Sequence, residues 1–425
     1  MSQQAVFLPA LHLRCQLRMR CELRLQRAAL NPDFENEASS GATPGSGRIV
    51  EGHTMRNLIV VGTTLLLTLA ADPLGISRAV AAPVAAPISP ASTALVVPPA
   101  KAGRARPLIA VVADEEGAQT TDFIVPYGVL KDSGVADVRS VSTGFGPITM
   151  TRGLRIETDE TTADFDAREG AGADIVLVPA QAKPKSAALI KWLREQAAKG
   201  ATIISVCDGA RVLAHAGLLK GKRAVTHWAS FGDMAKDYPE TTWVRDLRYM
   251  QDGAIITTAG VTAAIPMSLA LVEAIGGRAA AAATARRFGL ETWNPAHRTA
   301  DFAIEKSDLV AAAEAQRARS ETIEIPIADG IDEVSLALQA EAWGRSMRSK
   351  VLTTRPGRVP VRSRHGLVIL PDAEAKPGNH KVQAATLPAV PQLEATFADM
   401  GRRYSPGVIR LAILAMEYDM RQADD

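Results

Sequence analysis

One cysteine stands where the sequence predicts a turn between a strand and a helix. Residues 201–219 read ATIISVCDGARVLAHAGLL, and a short apolar run rich in β-branched residues ends at Cys207. Asp208 and Gly209 then lead into an amphipathic segment, so the pattern predicts a buried strand, a sharp turn and a helix. The small residues Ser205 and Gly209 lie two places before and after Cys207, the spacing that lets a nucleophile elbow turn tightly.

This position would favour nucleophilic chemistry at the thiol. The N–H groups and positive dipole at the start of a helix stabilise the thiolate, which is the reactive form of cysteine. The alternative is a buried structural cysteine, since free cysteine is among the most buried residue types. The coincidence of strand, turn and helix at Cys207 favours the functional interpretation.

The elements that must position this cysteine are predicted from residue 107 onward. Apolar runs at 108–114 and 173–180 alternate with helical patterns such as 186–200, which indicates a parallel sheet covered by helices on both faces. The first helix should start near Pro126, because proline favours the first helical turn. A strongly apolar helix should close this α/β three-layer sandwich and end at Gly276–Gly277.

The chain before this domain divides into three segments. Residues 1–54 are Arg-rich and then turn-forming, which indicates a disordered or mis-annotated extension rather than a globular domain. Residues 55–81 carry a positive charge, an apolar run and an Ala-x-Ala site, as a secretory signal peptide does, although an uncleaved anchor through 57–71 stays open. Residues 82–106 are rich in Pro and Ala and predict an extended linker. We therefore expect export, to the periplasm or outside the cell, or membrane anchoring.

Composition excludes several classes of protein. The formal net charge is only +2, so the protein lacks the excess of positive charge that attracts nucleic acids, and we expect no nucleic-acid partner. Three cysteines in 425 residues exclude a disulfide-built fold. A metal site at Cys15 and Cys21 is disfavoured by their basic neighbours, and neither a metal nor a cofactor is expected.

Several motifs, in this order and spacing, resemble the ThiJ/PfpI superfamily. This superfamily has the class I glutamine-amidotransferase-like fold and includes the Parkinson-associated deglycase. The motifs are VPYGVL, DIVLVPA, SVCDGARVLAHAGLLKGKRAVTHW and IITTAGVTAAIPMSLALVEAIGG. The pattern is most similar to isonitrile hydratases and to the sensor domains of GlxA-type regulators. The resemblance implies a flavodoxin-like fold over a domain at 107–300.

The resemblance also assigns site residues. Its nucleophile matches Cys207, and its acidic partner, four residues before a proline, matches Asp122. A carboxyl group there can hydrogen-bond the thiol or move its proton, although Asp122 is equally a candidate helix cap. Oxyanion donors would be the N–H of Asp208 and an N–H at Ala180 or Gln181.

Two departures from the family pattern limit this assignment. Pro179-Ala180-Gln181 replaces the family's Pro-Gly-Gly, and Asp208 replaces the histidine that follows the cysteine in peptidase-like members. His227 is the remaining candidate base, but a structural role is favoured for it. Thr258 and Gly260 end a strand at the edge where α/β sheets bind ligands, so they are candidate pocket walls, or equally turn formers.

The chain then repeats part of its own plan. Residues 321–425 read as a degenerate half-repeat that lacks the cysteine, with Glu333 as its acid and Gly366-Leu367 mirroring Gly153-Leu154. This segment could complete a pseudo-dimer face or cover the pocket. The alternative is a chance resemblance between two common βαβ-type units.

Two classes of function follow. The first is an exported cysteine enzyme, a hydratase or hydrolase that acts on a small electrophile through Cys207. The second is a non-catalytic ligand-binding or sensory module in which the same pocket holds a small molecule. The chain could form a homodimer, as relatives do, or its own half-repeat could take the place of the second subunit.

Overall fold

The computed structural model of the protein describes residues 94–419. The predicted extension at 1–54, the signal or anchor segment at 55–81 and the first part of the linker lie outside the described residues.

A seven-stranded sheet forms the centre of the first domain. The strands up to residue 258 are β1 (Leu108–Ala113), β2 (Asp137–Ser142), β3 (Ile148–Met150), β4 (Leu154–Glu157), β5 (Glu160–Thr161), β6 (Ile175–Val178), β7 (Thr202–Ser205), β8 (Arg223–Ala224), β9 (Thr242–Trp243), β10 (Tyr249–Asp252) and β11 (Ile255–Thr258). The order of strands in the seven-stranded sheet is β10-β11-β7-β6-β1-β2-β5. Only β10, paired with β11, runs antiparallel to its neighbour. The helices are α1 (Thr120–Ser133), α2 (Thr162–Arg168), α3 (Ala187–Ala198), α4 (Gly209–His215), α5 (Phe231–Asp237) and α6 (Ala264–Arg287).

The apolar runs explain this architecture. Every residue of β1, β6, β7 and β11 is buried, which is the property of central strands covered by helices on both faces. The fold is therefore the flavodoxin-like α/β sandwich that the sequence predicts. The parallel order also brings the carboxyl ends of β1, β6, β7 and β11 to one edge of the sheet, where ligands bind in such folds.

Two helix boundaries differ from the sequence prediction. Helix α1 begins at Thr120 and contains Pro126 in its interior. Proline has no N–H for the carbonyl four residues earlier, which is that of Asp122, yet burial of the helix on all sides keeps it intact. Helix α6 does break at the predicted Gly276–Gly277, where Gly277 has a φ of 83° and a ψ of 167°, but a second helical segment then continues to Arg287.

Helix α6 has the length and composition of a membrane span, and it is the one such helix within 94–419. Its first half is buried inside the domain, with Met267, Leu269 and Leu271 fully covered. Buried core helices can have the same length and composition as membrane spans, so these two properties of α6 do not indicate a membrane.

The second part of the chain forms a smaller α/β unit. Its elements are α7 (Lys306–Arg317), β12 (Glu321–Pro326), α8 (Glu333–Gly344), β13 (Ser349–Thr354), β14 (Val361–Arg362), β15 (Val368–Leu370), β16 (His380–Lys381), α9 (Ala389–Gly401) and α10 (Pro406–Met416). Three of the strands form a parallel sheet in the order β13-β12-β16, which repeats the order β2-β1-β6 of the first domain.

The first domain and the smaller unit are joined by an antiparallel strand pair. Strand β4 pairs antiparallel with β15, and Ile156 lies opposite Ile369 at the centre of the pair. Each strand follows a glycine with φ above 90°, Gly153 and Gly366, the pair that the sequence comparison matched. Helices α1 and α8 pack against each other beside this junction. The second α/β unit therefore packs on the first domain through a strand pair and a helix pair.

His365 ties the half-repeat to the first domain. Its Nδ1 lies 2.7 Å from Glu333 Oε1, and its Nε2 lies 3.3 Å from Asp132 Oδ1. Burial opposes the charge of this histidine, but hydrogen bonds to Asp132 and Glu333 raise its pKa to about 9. The acid predicted for the second copy, Glu333, thus binds a histidine and faces no cysteine.

We expect a pH-dependent loss of stability that depends on His365. Because the folded pKa is raised, its contribution is complete below the unfolded pKa of about 6.5 and is lost as the pH rises through about 9. After allowance for solvent screening the loss is about 1 to 2 kcal/mol. Thermal unfolding between pH 6 and 9.5 should show it for the wild type and not for His365→Gln. Parallel profiles for the two proteins would contradict this assignment.

Residues 94–106, predicted as part of an extended linker, are held against the domain. Arg104 donates to Asp174 and Glu169 at 2.8 and 2.7 Å, and the Lys101 N–H donates to Asp174 at 2.8 Å. Leu95 is buried in the core. The segment lacks regular structure, as its composition indicates, but its charged residues fix it to the surface.

Candidate functional site

Cys207 lies in the strained turn that the sequence predicts. Its φ is +56°, a left-handed conformation that few non-glycine residues adopt and that is common at functional sites. Its N–H donates to Ala259 O at 3.1 Å and lies 3.4 Å from Thr258 Oγ1. The turn is thereby fastened to the end of the neighbouring strand, β11.

Gly209 makes this turn possible. A Cβ at Gly209 would lie 2.1 Å from the carbonyl oxygen of Val178, so helix α4 can start this close to β6 only without a side chain. Asp208 precedes the helix, and its backbone N–H lowers the pKa of the Cys207 thiol. Its carboxylate Oδ1 lies 3.4 Å from Thr226 Oγ1, so Asp208 faces the loop after β8.

Asp122, the predicted acidic partner, is fully buried in the first turn of α1. Its Oδ2 accepts the Ala180 N–H at 3.3 Å, while Oδ1 has no hydrogen-bond partner within the described part of the chain. Burial, and then the neighbouring Glu341 carboxylate, hold the pKa of Asp122 well above its usual range. The buried position therefore favours the protonated form of Asp122, which has a proton to donate.

The thiol next to this acid is also neutral at rest. Burial raises the pKa of Cys207 well above its usual value, and the Asp122 and Asp208 carboxyl groups act in the same direction. The Asp208 N–H and Arg345 lower the pKa but do not offset these effects. The helix start therefore does not produce the resting thiolate that the sequence predicts, because α4 has only seven residues and the sulfur is desolvated.

Ala180 and Gln181 shape the edge beside the cysteine in different ways. The Ala180 N–H, a predicted oxyanion donor, points to Asp122. The Gln181 side chain accepts the Asp114 N–H at 2.8 Å and donates to Pro179 O at 3.0 Å. Gln181 therefore fixes the ends of β1 and β6, and Ala180 is the residue of the two that lies at the site.

The other predicted binding residues divide between two places. Thr258 lies beside Cys207, as stated above. His227 instead caps the short helical turn after it, with Nδ1 accepting the Ala229 N–H at 3.2 Å. Gly260 donates its N–H to the Glu417 carboxylate at 2.6 Å. His227 and Gly260 thus lie against Glu417, and Gly260 is two residues beyond the end of β11.

The half-repeat contributes charged residues that sequence reasoning missed. Glu341, fully buried on α8, accepts from Gln119 Nε2 and from Arg345 Nε, each at 2.5 Å. Arg345 lowers the pKa of both Asp122 and Cys207, which places its charge at the site. Burial and the charge of Arg345 lower the pKa of the Arg152 guanidinium to about 10. One feature of the sequence could have indicated this contact: the pattern that forms α1 recurs where α8 forms, so α8 could be expected to pack beside Asp122.

The site places a cysteine in a left-handed turn close to buried charged residues. Within 94–419, no group of three or more His, Cys, Asp or Glu side chains is placed to hold a metal ion. What the site brings together is a nucleophile in an elbow, a buried acid with one free oxygen, and backbone N–H groups.

Known proteins are similar to this chain over its first domain. The DJ-1/PfpI family model matches residues 108–274. Isonitrile hydratase of Pseudomonas putida is 33% identical over 163 residues, which covers 37% of this chain and 68% of the hydratase. The HTH-type transcriptional regulator CdhR of Pseudomonas aeruginosa is 32% identical over 158 residues, 36% of this chain but only 45% of the regulator.

Solved structures match the same region. Drosophila melanogaster DJ-1beta is matched over its whole length, 44% of this chain, at 23% identity and a TM-score of 0.40. A DJ-1 superfamily protein of Salmonella typhimurium matches over 98% of its length and 43% of this chain, at 24% identity and a TM-score of 0.39. On the extent and identity of the sequence matches, the chain belongs to the DJ-1/PfpI family.

Proposed function

We propose that the protein is a cysteine-dependent hydratase or hydrolase that acts on a small electrophile. The observation that carries this proposal is the pairing of Cys207, held at φ +56°, with the buried acid Asp122, one oxygen of which lacks a hydrogen bond. A structural cysteine would need neither the strained turn nor an orphaned carboxyl group. An isonitrile is the first candidate substrate, because the hydratase from Pseudomonas putida is 33% identical.

The chemistry follows from the neutral state of both groups. The Cys207 sulfur bonds to the terminal carbon of the isonitrile, and the thiol proton passes through Asp122 to that carbon, which gives a thioimidate. Water then adds to the same carbon, and loss of the sulfur returns the thiol and releases an N-substituted formamide. Asp122 can donate a proton from one oxygen and accept one at the other, so it ends the cycle unchanged.

A second candidate function is a ligand-binding or sensory module. The observation that favours it is the buried thiol, which is only 6% exposed and has a raised pKa. A thiol in that state reacts slowly with electrophiles. The similarity to CdhR, a transcriptional regulator by its description, is consistent with a sensing role.

Turnover of isonitriles separates the two candidates. Formamide production from a panel of alkyl and aryl isonitriles should be measured for the wild type, Cys207→Ala and Asp122→Asn. We expect Cys207→Ala to abolish production and Asp122→Asn to lower kcat at least about 100-fold, because the amide cannot relay a proton. Binding of isonitriles without product, by both wild type and Cys207→Ala, would instead support the sensory module.

Alkylation of Cys207 provides the matched control. In a Cys15→Ala/Cys21→Ala background, iodoacetamide labelling should be slow at neutral pH and should accelerate only above the usual thiol pKa. Asp122→Asn should shift this profile only modestly toward lower pH, since burial raises the pKa of Cys207 more than the Asp122 carboxyl group does. A large shift of the profile would show that Asp122 acts on the thiol as a charge rather than as a proton relay.

A further inference from the structure

A buried carboxylate from the C-terminal segment lies on the sheet edge beside the elbow. Helix α10 ends at Met416, and Glu417 takes a left-handed conformation with φ of 54°. Its side chain is 2% exposed, so the turn sends a charged group into the protein instead of into solvent. Burial of a carboxylate is costly unless its oxygens are hydrogen-bonded.

Both oxygens of this carboxylate are bonded by groups of the first domain. Oε2 accepts the Gly260 N–H at 2.6 Å and the Trp228 N–H at 3.4 Å. Oε1 lies 2.7 Å from His297 Nε2, and His227 Nε2 lies 3.9 Å from Oε2. Two backbone N–H groups and the His297 imidazole thus bind one carboxylate, which is a set of donors suited to an anion. His227 Nε2 is bonded instead to Ala415 O at 3.3 Å.

The pocket is shaped for those oxygens. A Cβ at Gly260 would lie 2.2 Å from Glu417 Oε2, so glycine leaves the space that the carboxylate fills. The segment that carries the carboxylate is also held by Trp228 Nε1, which donates to Leu414 O at 2.7 Å, and by Thr262 Oγ1, which donates to Glu417 O at 2.7 Å. His227 Nε2 lies 3.3 Å from Ala415 O between them. These bonds are local to the end of α10.

The pocket shares its walls with the elbow. Gly260 follows Ala259, whose carbonyl accepts the Cys207 N–H. His227 follows Thr226, whose Oγ1 lies 3.5 Å from Cys207 O. A small molecule held here by a carboxylate would therefore lie along the same sheet edge as the thiol.

We propose that this pocket is a carboxylate subsite for the small molecule that reaches Cys207, and that Glu417 is its tethered occupant. The proposal rests on the proposed function, since it assigns a substrate class, a carboxylate-bearing electrophile, to the same site. A tethered group competes at an effective concentration in the millimolar range or above. Free carboxylates therefore bind weakly until Glu417 is removed or displaced.

Calorimetric titration with benzoate tests this, with benzamide as the neutral probe. Glu417→Gly removes the carboxylate at a position whose left-handed backbone suits glycine, and Glu417→Gln keeps the size. We expect at least tenfold tighter benzoate binding by Glu417→Gly than by the wild type, and no gain for benzamide. Glu394→Gln, which removes a carboxylate that accepts from Tyr418 on the same segment, should behave as the wild type.

Two further measurements keep the result decisive. Gly260→Ala in the Glu417→Gly background should remove the benzoate binding, because the added methyl fills the oxygen position. The titration is repeated with Cys207→Ala, so that binding is scored without catalysis and a failed turnover assay does not affect it. Glu417→Gln still fills the pocket and should gain less benzoate affinity than Glu417→Gly. If Glu417→Gly keeps the wild-type far-UV spectrum and gains no benzoate affinity, or gains affinity for benzamide equally, the proposal is wrong.

Discussion

Replacing Arg345 by methionine is expected to destabilise the protein by about 2 to 3 kcal/mol and to raise the pKa of Cys207 further. Glu341 is fully buried and accepts from Arg345, so the substitution leaves a buried charge with Gln119 as its remaining partner. Breaking a buried ion pair costs about 3 to 5 kcal/mol. We take a lower value because 21% of the Arg345 side chain is exposed, and Arg152 stays near enough to offset part of the charge.

Urea unfolding and the pH profile of Cys207 alkylation measure the two effects separately. The double variant Arg345→Met/Glu341→Leu should recover most of the stability, because it removes both members of the pair. It should not restore the alkylation profile of the wild type, since the positive charge near the sulfur is still missing. Arg364→Met is the control, because this Arg is exposed in its pair with Asp332 and should cost at most about 1 kcal/mol.

Wild-type stability in Arg345→Met would show that Glu341 finds another partner or takes a proton. An unchanged alkylation profile would show that the half-repeat does not act on the thiol at all. The stability measurement reports on the packing of α8, whereas the alkylation profile reports on the site, so both measurements are needed.

Sequence patterns predict the first domain well because its signals are local. The runs that form β1, β6 and β7 are short, apolar and fully buried, and the turn at Cys207 is flanked by residues that a tight turn requires. Asp122 could be assigned only through the family resemblance, since an acid at the start of a helix is also an ordinary cap.

The rest of the site depends on contacts between distant parts of the chain. Gln119 and Glu341, which meet in a hydrogen bond of 2.5 Å, lie 222 positions apart, and periodicity carries no information about such a pair. The repeat of Gly153-Leu154 by Gly366-Leu367 was a usable signal, because it implies the β4–β15 junction and hence the packing of α8 on α1. Nothing in the sequence marks Glu417, whose role depends on the backbone turning inward after α10.

The half-repeat explains how one chain can build this site. Its helix α8 packs on α1, and its strand β15 pairs with β4. These surfaces of α1 and β4 are therefore covered by another part of the same chain. The second copy has no cysteine strand of its own. What it contributes is the Glu341–Arg345 pair, whose charges bias the protonation of Asp122 and Cys207. Its value to the protein is therefore electrostatic as well as structural.

Gly209→Ala is expected to destabilise the protein by about 2 to 4 kcal/mol, because the added methyl would overlap backbone atoms. The nearest atom, Val178 O at 2.1 Å from the new Cβ, belongs to a central strand that cannot move without breaking its pairing with β7. The start of α4 must move instead, and Cys207 with it. Alkylation of Cys207 should therefore change its rate at pH 8 in the fraction that stays folded.

Gly232→Ala is the matched control for this prediction. Gly232 also lies in a short helix, α5, but a Cβ there would meet nothing within 4 Å, so alanine should be neutral or stabilise by up to about 1 kcal/mol. Thermal unfolding of both variants separates helix propensity from overlap, since propensity favours alanine at both positions. Equal stability of Gly209→Ala and the wild type would mean that the elbow has room to relax, and the strained turn would then not be fixed by its glycine.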